Sequence, residues 1–442
     1  MLLYTFRGIV NKDLTCEVAT KIALVEGFRL KNHENAERIL IGGDHRVSTE
    51  MLKQALTAGF LSVGLDVVDC GILPTPILSF FVKKLSLPGV MVTASHNPPE
   101  WNGFQFHEPD SHIYGPIKEE DIKSKLNSEL PLPDWQKIGS VSYKSGCIEE
   151  YTNQLSRMVS MKNSIRVVVD FGGGMASVAV PQLLKKLNID TIEINSTLDP
   201  LFSQRPSEPS PEVIHELQKQ VVREHADVGF AYDGDADRVM VVDEKGQVLE
   251  SDKLIFLLCK DMLKPPGPIV VTADVSMAVE KNLADKGFKI IRDRWGQTFI
   301  GGRIKQSNAV FGAETNDHYM FPQLSLHADA IAATAFFCSI ISRNPQSLSQ
   351  MFAELPETYI LREKINFTED LIHHQTDIEL FLERNYGSFE KIHERLYLAS
   401  QDSSKLLIRQ SPFDRFVRIF AESYHLQKVH GMTEQVKRML IA

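Results

Sequence analysis

No hydrophobic run in this chain reaches the length of a membrane helix. The longest, 331–341 (IAATAFFCSII), is about half of the ~20 residues required, and it is expected to form a buried core helix. At the N-terminus, MLLYTFRG meets Arg7 before a hydrophobic region of signal-peptide length develops, so secretion is not expected. Positive charge is in deficit: 48 Lys and Arg stand against 57 Asp and Glu, for a net charge of −9. With no basic stripe carrying interleaved aromatics, non-specific nucleic-acid binding is set aside. Cysteine is sparse as well. The five residues Cys16, Cys70, Cys147, Cys259 and Cys338 are odd in number, scattered and without a CxxC pair, which is the usage of reduced thiols in a cytoplasmic protein.

At roughly 150 residues per domain, 442 residues suggest about three domains. Strand-like and helix-like segments alternate along most of the chain, the pattern of α/β layers. Ile39-Leu40-Ile41 ends at Gly42-Gly43-Asp44, a helix is expected over 48–58, and a strand over 62–69. The run 165–170 (IRVVVD) enters Gly172-Gly173-Gly174 and a helical stretch through Leu187, and a further unit starts with a strand at 269–273, a helix at 276–286 and a strand at 289–292. The triple glycine is a poor dinucleotide signature, because Ser177 takes the place of the last glycine in GxGxxG, and a close strand-helix turn is favoured. Proline-rich stretches at 131–133, 265–268 and 356–357 are candidate connectors. Beyond them, Leu406-Leu407-Ile408 and 416–420 suggest antiparallel strands beside amphipathic helices.

Chemistry concentrates at Asp233-Gly234-Asp235-Ala236-Asp237-Arg238. Strand-like runs at 226–232 and 239–243 flank it, so three carboxylates share one tight turn, where they repel one another unless a hard cation such as Mg²⁺ is held between them. Mg²⁺ keeps positions open for phosphate oxygens, and Arg238 is a natural phosphate partner. An EF-hand is the first competing reading, since Asp233, Asp235, Asp237 and Glu244 fall at loop positions one, three, five and twelve; Arg238 at the glycine position and β-like flanks count against it. A solvated acidic turn without a ligand is the second.

A second motif bears on the choice. Thr93-Ala94-Ser95-His96-Asn97-Pro98 follows the apolar run 89–92, placing Ser95 just beyond a buried strand end, where α/β proteins put chemistry. Asn97-Pro98-Pro99 prevents a helix from continuing and leaves the hydroxyl on a loop, although a structural Ser/Asn turn has the same signature.

Together, TASHNP at 93–98 and DGDADR at 233–238 resemble the phosphoserine loop and metal loop of the α-D-phosphohexomutase superfamily, the phosphomannomutase/phosphoglucomutase family. Similar segments occur at 6–8, 42–48, 312–318 and 409–411, so the resemblance spans nearly the whole chain. It implies three related α/β/α domains with mixed sheets plus a smaller C-terminal α+β domain around a central cleft, divided at 1–145, 146–251, 252–358 and 359–442. It also implies that Ser95 carries a phosphoryl group and, with Asp233, Asp235 and Asp237, holds Mg²⁺. Arg7 and Arg238 would stabilise charge beside the phosphoserine. Glu314, Asn316 and His318 would contact the sugar, and Arg409 and Ser411 the remote phosphate. The implied reaction interconverts hexose 6-phosphate and hexose 1-phosphate, mannose or glucose being favoured, with hexose 1,6-bisphosphate as intermediate and activator. Hexose phosphates are then the partners of a cytoplasmic monomer or small homo-oligomer that binds neither nucleic acid nor membrane. Phosphoglucosamine mutation, a non-catalytic sugar-phosphate binder and a phosphatase are the alternatives.

Three positions depart from the family pattern. Gln105 stands where a lysine general acid/base is usual, leaving His96 and Arg294 as candidates. The sugar loop reads Glu314-Thr315-Asn316-Asp317-His318 in place of Glu-x-Ser-Gly-His. In the phosphate loop, Pro412 removes an N–H and Phe413 a hydroxyl, with Arg415 or Arg418 left to supply compensating charge.

Overall fold

The computed structural model describes residues 6–263, 266–353, 355–401, 403–410 and 416–441. Apolar runs flanked by turn residues become strands, and the first sheet collects β1 (Phe6–Ile9), β2 (Arg38–Gly43), β3 (Asp66–Ile72), β4 (Gly89–Val92), β5 (Trp101–His107) and β6 (Val141–Tyr143), in the order β1-β5-β4-β2-β3-β6. β2 runs parallel to β3 and β4, while β5 is antiparallel to β4 and β1, so the sheet is mixed. Ile39, Ile41, Val67, Val90 and Val92 pack with Leu52, Leu56 and Phe60 of the helix Thr49–Ser62.

The strand expected from residue 62 begins only at Asp66. Buried Phe60 holds the helix through Ser62, Leu65 N–H returns to Phe60 O at 3.1 Å, and Gly64 at φ +78° closes the end in the left-handed conformation that glycine adopts freely. Alternating Leu61, Val63 and Leu65 mimic a strand that tertiary packing overrides.

The second sheet, β7 (Arg166–Asp170), β8 (Asp190–Ile194), β9 (Val228–Tyr232) and β10 (Val239–Asp243), has the order β10-β9-β7-β8, with β10 alone antiparallel to its neighbour. β11 (Pro268–Thr272) and β12 (Lys289–Asp293) pair in parallel through the helix Met277–Asp285, and β13 (Phe311–Glu314) and β14 (His318–Met320) follow. The helix Ala330–Arg343 is buried from Ala330 to Ser342, as its apolar sequence required. Among the described residues no helix is long and apolar enough to cross a membrane.

β15 (Tyr359–Asn366), β16 (Glu390–His393), β17 (Leu396–Gln401), β18 (Ser404–Gln410) and β19 (Phe416–Ser423) form an antiparallel sheet in the order β15-β19-β18-β17-β16. Its core joins Tyr397, Leu406, Ile408, Val417 and Ile419 to Ile378, Leu382 and Val436 of two helices. The fold is thus three α/β/α domains with a fourth, antiparallel-sheet domain at the C-terminus.

The chain gathers into two compact units. One comprises the chain up to Ser251 with 310–312 and 316–351; the other comprises 252–309, 313–315 and the remainder from Phe352.

Candidate active site

β4 delivers the chain to Ser95, whose φ of +50° is a left-handed conformation costing roughly 1–2 kcal/mol for a residue other than glycine. Arg46 holds it there. This buried guanidinium reaches the carbonyl oxygens of Ser95 (2.8 Å), Asn97 (2.6 Å), Pro98 (2.6 Å) and Trp101 (3.1 Å), and is itself anchored on Asp44. Four carbonyls of one loop are thereby gathered on one planar donor, a task suited to arginine. Thr93 Oγ1 donates to Asp44 Oδ2 at 2.8 Å and accepts from Ser95 N–H at 2.9 Å.

The acidic turn between β9 and β10 meets this loop. Ser95 Oγ donates to Asp233 Oδ2 at 3.1 Å and lies 3.1 Å from His96 Nδ1. A side chain on Gly234 would start 2.6 Å from Ser95 O, so the close approach of the two loops requires glycine there. The Gly172-Gly173-Gly174 turn braces the turn from behind, with Met175 N–H on Gly234 O at 2.9 Å, which is the structural role favoured over nucleotide binding.

Asp233, Asp235 and Asp237 bring one carboxylate oxygen each to within 4.8 Å of one another, all buried. Burial, reinforced by Asp237 and Asp235, pushes Asp233 well above the usual carboxylate range, and burial with Asp237 raises Asp235 to about 6. Asp237 moves the other way: burial opposes its charge, but His318 and Arg238 hold it well below that range. Thr75 Oγ1 donates to Asp235 Oδ2 at 2.5 Å, whereas buried Asp235 Oδ1 has no hydrogen-bond partner among the described residues. An inward-facing carboxylate oxygen left without a donor, in a group of three oxygen ligands, fits a hard divalent cation.

Arg238 Nε donates to His318 Nε2 at 3.1 Å, and its Nη1 reaches Glu208 at 3.1 Å. His318 Nδ1 lies 3.0 Å from Asn316 Oδ1. Arg7 Nη1 lies 3.4 Å from Asn97 Oδ1. Burial, helped by the charges of Arg238 and Arg7, lowers His96 to about 3, so its imidazole is neutral at physiological pH. Gln105, at the position where lysine is usual, pairs with buried His327 across 3.0 Å.

The other unit carries the remaining expected residues that are described. Glu314 Oε2 accepts from Gly296 N–H at 2.8 Å, and Arg294 lies over the Phe299 ring at 3.6 Å. A pocket of about 270 Å³ is lined by Asp274, Trp295, Arg362, Lys364, Arg409 and Arg418. Register places Lys364 opposite Arg418 and Arg418 opposite Arg409, a row of like charges across β15, β19 and β18. Arg409 also stacks over Trp295 at 3.9 Å. Ser411, Pro412, Phe413 and Arg415 lie outside the described residues. Sequence reasoning gave no role to Arg46, Thr75, Thr93, His327 or Lys364. For the first of these, the segment 42–48 was the only signal.

Family models described as phosphoglucomutase/phosphomannomutase, alpha/beta/alpha domains I, II and III, match residues 4–131, 149–246 and 250–359. A protein of Pyrococcus abyssi named "Probable phosphoglucosamine mutase" is 33% identical over 440 residues, covering 98% of this chain and 96% of that one. Among solved structures, a phosphoglucomutase/phosphomannomutase family protein from Burkholderia thailandensis has a TM-score of 0.87 at 23% identity, over 99% of this chain and 96% of that one. The N-acetylphosphoglucosamine mutase of Aspergillus fumigatus, solved in complex with GlcNAc-6P and magnesium, has a TM-score of 0.60 at 13% identity, over 96% of each chain. These two likenesses concern the fold. With three successive domain models matched and a relative one-third identical over nearly its full length, the chain belongs to the phosphoglucomutase/phosphomannomutase family of the α-D-phosphohexomutase superfamily, and it is an isomerase-type phosphotransferase.

Proposed function

We propose that this chain interconverts hexose 6-phosphate and hexose 1-phosphate through a phosphorylated Ser95 and a hexose 1,6-bisphosphate that reorients before returning a phosphoryl group. The observation that carries the reading is the contact of Ser95 Oγ with Asp233 inside a buried triad of carboxylates. Asp233, Asp235 and Asp237, together with a phosphoryl oxygen on Ser95, would hold Mg²⁺. Bound there, Mg²⁺ would neutralise charge on the transferred phosphoryl oxygens.

This chain's own groups do the rest. Strain and the Arg46 clamp fix the Ser95 hydroxyl in one direction, which serves phosphoryl transfer because positioning dominates that chemistry. Neutral His96, with Nδ1 3.1 Å from Ser95 Oγ, helps to orient the hydroxyl that is phosphorylated. Arg7 and Arg238 balance the phosphoserine, and His318 with Asn316 binds sugar hydroxyls beside Glu314. Arg409, Arg418 and Ser411 take the remote phosphate. The proposal keeps four domains, divided at 145/146, 251/252 and 358/359, and a cytoplasmic setting supported by the cysteine usage.

Mannose and glucose phosphates are the first reading of the sugar, from Pro98-Pro99-Glu100-Trp101-Asn102-Gly103-Phe104. Glucosamine phosphate is the second, favoured by the name of the Pyrococcus abyssi relative. Turnover with Mg²⁺ on mannose, glucose, glucosamine and N-acetylglucosamine phosphates, alongside intact-mass measurement, tests both. A phosphate on Ser95 and isomerisation of at least one of the first three sugars are expected. Protein that hexose 1,6-bisphosphate cannot phosphorylate, and that turns over none of the four, would sink the reading.

A further inference from the structure

Two of the five cysteines meet. Cys70 lies near the end of β3, and Cys147 opens the helix Cys147–Met158. β6 brings them together: it pairs in parallel with β3, Asp69 opposite Tyr143, and Lys144 N–H donates to Asp69 O at 2.9 Å. The chain then turns at Gly146, φ +74°, and Cys147 Sγ folds back to 3.4 Å from Lys144 O. Both residues are buried, Cys147 Sγ donates to the Lys144 carbonyl just past the strand beside β3, and the two thiols are close enough to shift each other's ionisation. Cys147 follows the exposed Ser145 and Gly146, so only a thin layer separates it from solvent.

The two sulfurs differ in character. The neighbouring Cys70 thiol lowers the Cys147 thiol against the effect of burial, Lys144 adds to this, and the helix N-terminus favours a thiolate at the same place. Cys147, with burial, raises Cys70. Cys147, at a helix start directly after the exposed Ser145 and Gly146, is placed to meet an oxidant, and Cys70 on the neighbouring strand to resolve what it becomes. Nothing in phosphoryl transfer uses either. Cys259 and Cys338 are buried and raised by burial, and exposed Cys16 sits on a different helix.

We propose that Cys70 and Cys147 form a reversible redox site, converted by a small peroxide to an intramolecular disulfide. The Cys147 thiolate attacks one oxygen of hydrogen peroxide, the O–O bond breaks, and the departing hydroxide takes up a proton as water, leaving a sulfenic acid. Cys70 then gives up its proton and attacks Cys147 Sγ; the S–O bond breaks and a second water leaves. Two thiols lose two electrons to one peroxide, and a reducing dithiol reverses the step while becoming a disulfide itself. Cys147 lies between the segments matched by the domain I and domain II models, so the bond would tie β3 to the start of the helix leading into the second sheet.

The test uses the full chain. Reduced protein is treated with hydrogen peroxide, its remaining thiols are alkylated, and it is digested without reductant and mapped by mass. A Cys70–Cys147 cross-linked peptide pair, lighter by two hydrogens and released by dithiothreitol, is expected. In untreated protein Cys147 should alkylate at least about tenfold faster than Cys259 or Cys338, as a thiolate does relative to a buried thiol. Cys70→Ala should leave a sulfenic acid on Cys147 that dimedone traps, and Cys147→Ala should leave Cys70 reduced. Oxidation confined to Cys16, or Cys147 alkylation no faster than that of Cys259, would overturn the proposal. Both of those readouts come from the unsubstituted protein, so misfolding of a variant does not blunt them.

Discussion

Ser95 Oγ donates to Asp233 Oδ2 across 3.1 Å, although 138 residues separate the two in sequence. Both partners are held against local preference, the serine by a positive φ and the aspartate by burial beside two further carboxylates. Unfavourable free energy of this kind persists where the surrounding fold over-determines it, and here the Arg46 clamp and the glycine-mediated loop contact do so.

That stored repulsion can be released. Asp235→Asn keeps an acceptor for Thr75 but removes the charge of a group raised to about 6 by burial and Asp237. A carboxyl whose folded pKa is raised destabilises increasingly from about pH 4 to pH 6, and fully above that. Without divalent cation the variant is therefore expected to be more stable than the parent at pH 7.5 by on the order of 3 kcal/mol, and equal to it near pH 3.5. Thermal melts in EDTA and in Mg²⁺ check this: added Mg²⁺ should stabilise the parent far more than the variant. Mutase turnover should fall by at least about a hundredfold, since charge neutralisation at the phosphoryl group is lost.

Arg46→Lys retains charge and loses geometry. An ammonium cannot reach the carbonyls of Ser95, Asn97, Pro98 and Trp101 together, so the loop loses at least two of its hydrogen bonds, although Asn97 O keeps Ser207 Oγ and Pro98 O keeps Trp101 N–H. The expected cost is about 2–5 kcal/mol of stability, with a drop in turnover larger than any change in KM because the residue positions Ser95 and touches no substrate. Denaturant melts and steady-state kinetics separate the two effects. Unchanged stability would remove Arg46 from the role assigned to it.

Arg46 also marks the limit of what the sequence could disclose. Strands with unbroken apolar runs, such as Val239–Asp243, are legible because burial on both faces leaves one composition signature, and the helix Ala330–Arg343 is legible for the same reason. Ser95 and the three aspartates stand out because few other uses exist for those residues at those spacings. The clamp is not legible, because its four acceptors are backbone carbonyls 49 to 55 residues away and carry no side-chain signal. Nor is the row of Lys364, Arg418 and Arg409, which exists only once the register of β15, β19 and β18 is known.

Asp329 offers a second pH-dependent prediction, remote from the phosphoserine. It caps the helix Ala330–Arg343 through Ala332 N–H at 2.8 Å and accepts the hydroxyl of buried Tyr151, yet burial raises it to about 6 against those hydrogen bonds. Asp329→Asn keeps an oxygen to accept from Ala332 N–H and turns its amide nitrogen to Tyr151, whose hydroxyl can accept in place of donating. The stability gap between variant and parent should widen in the variant's favour from pH 4 to pH 6, then stay flat to pH 8, by on the order of 3 kcal/mol at most. Urea melts at pH 4, 5, 6 and 8 would show it. A gap that widens toward acid instead would mean the carboxylate is stabilised by partners stronger than its burial cost.

The basic row invites a test of anion binding. Cations directly opposite one another on neighbouring strands repel, at roughly 0.2–1 kcal/mol per pair, and Arg418 stands between Lys364 and Arg409 with both as cross-strand neighbours. A fold that keeps such a row lining a pocket of about 270 Å³, with Trp295 stacked on Arg409, is suited to an anion that relieves it. Arg418→Gln takes one charge out of that row. It should raise KM for hexose phosphate roughly tenfold or more, the loss expected for one charge-assisted contact. Arg409→Ala should weaken binding further, because it removes both the charge and the stack on Trp295. Melting temperatures taken with and without inorganic phosphate read both effects at once: the phosphate-dependent rise should be largest for the parent, smaller for Arg418→Gln and nearly absent for Arg409→Ala. An equal rise in all three would place phosphate elsewhere.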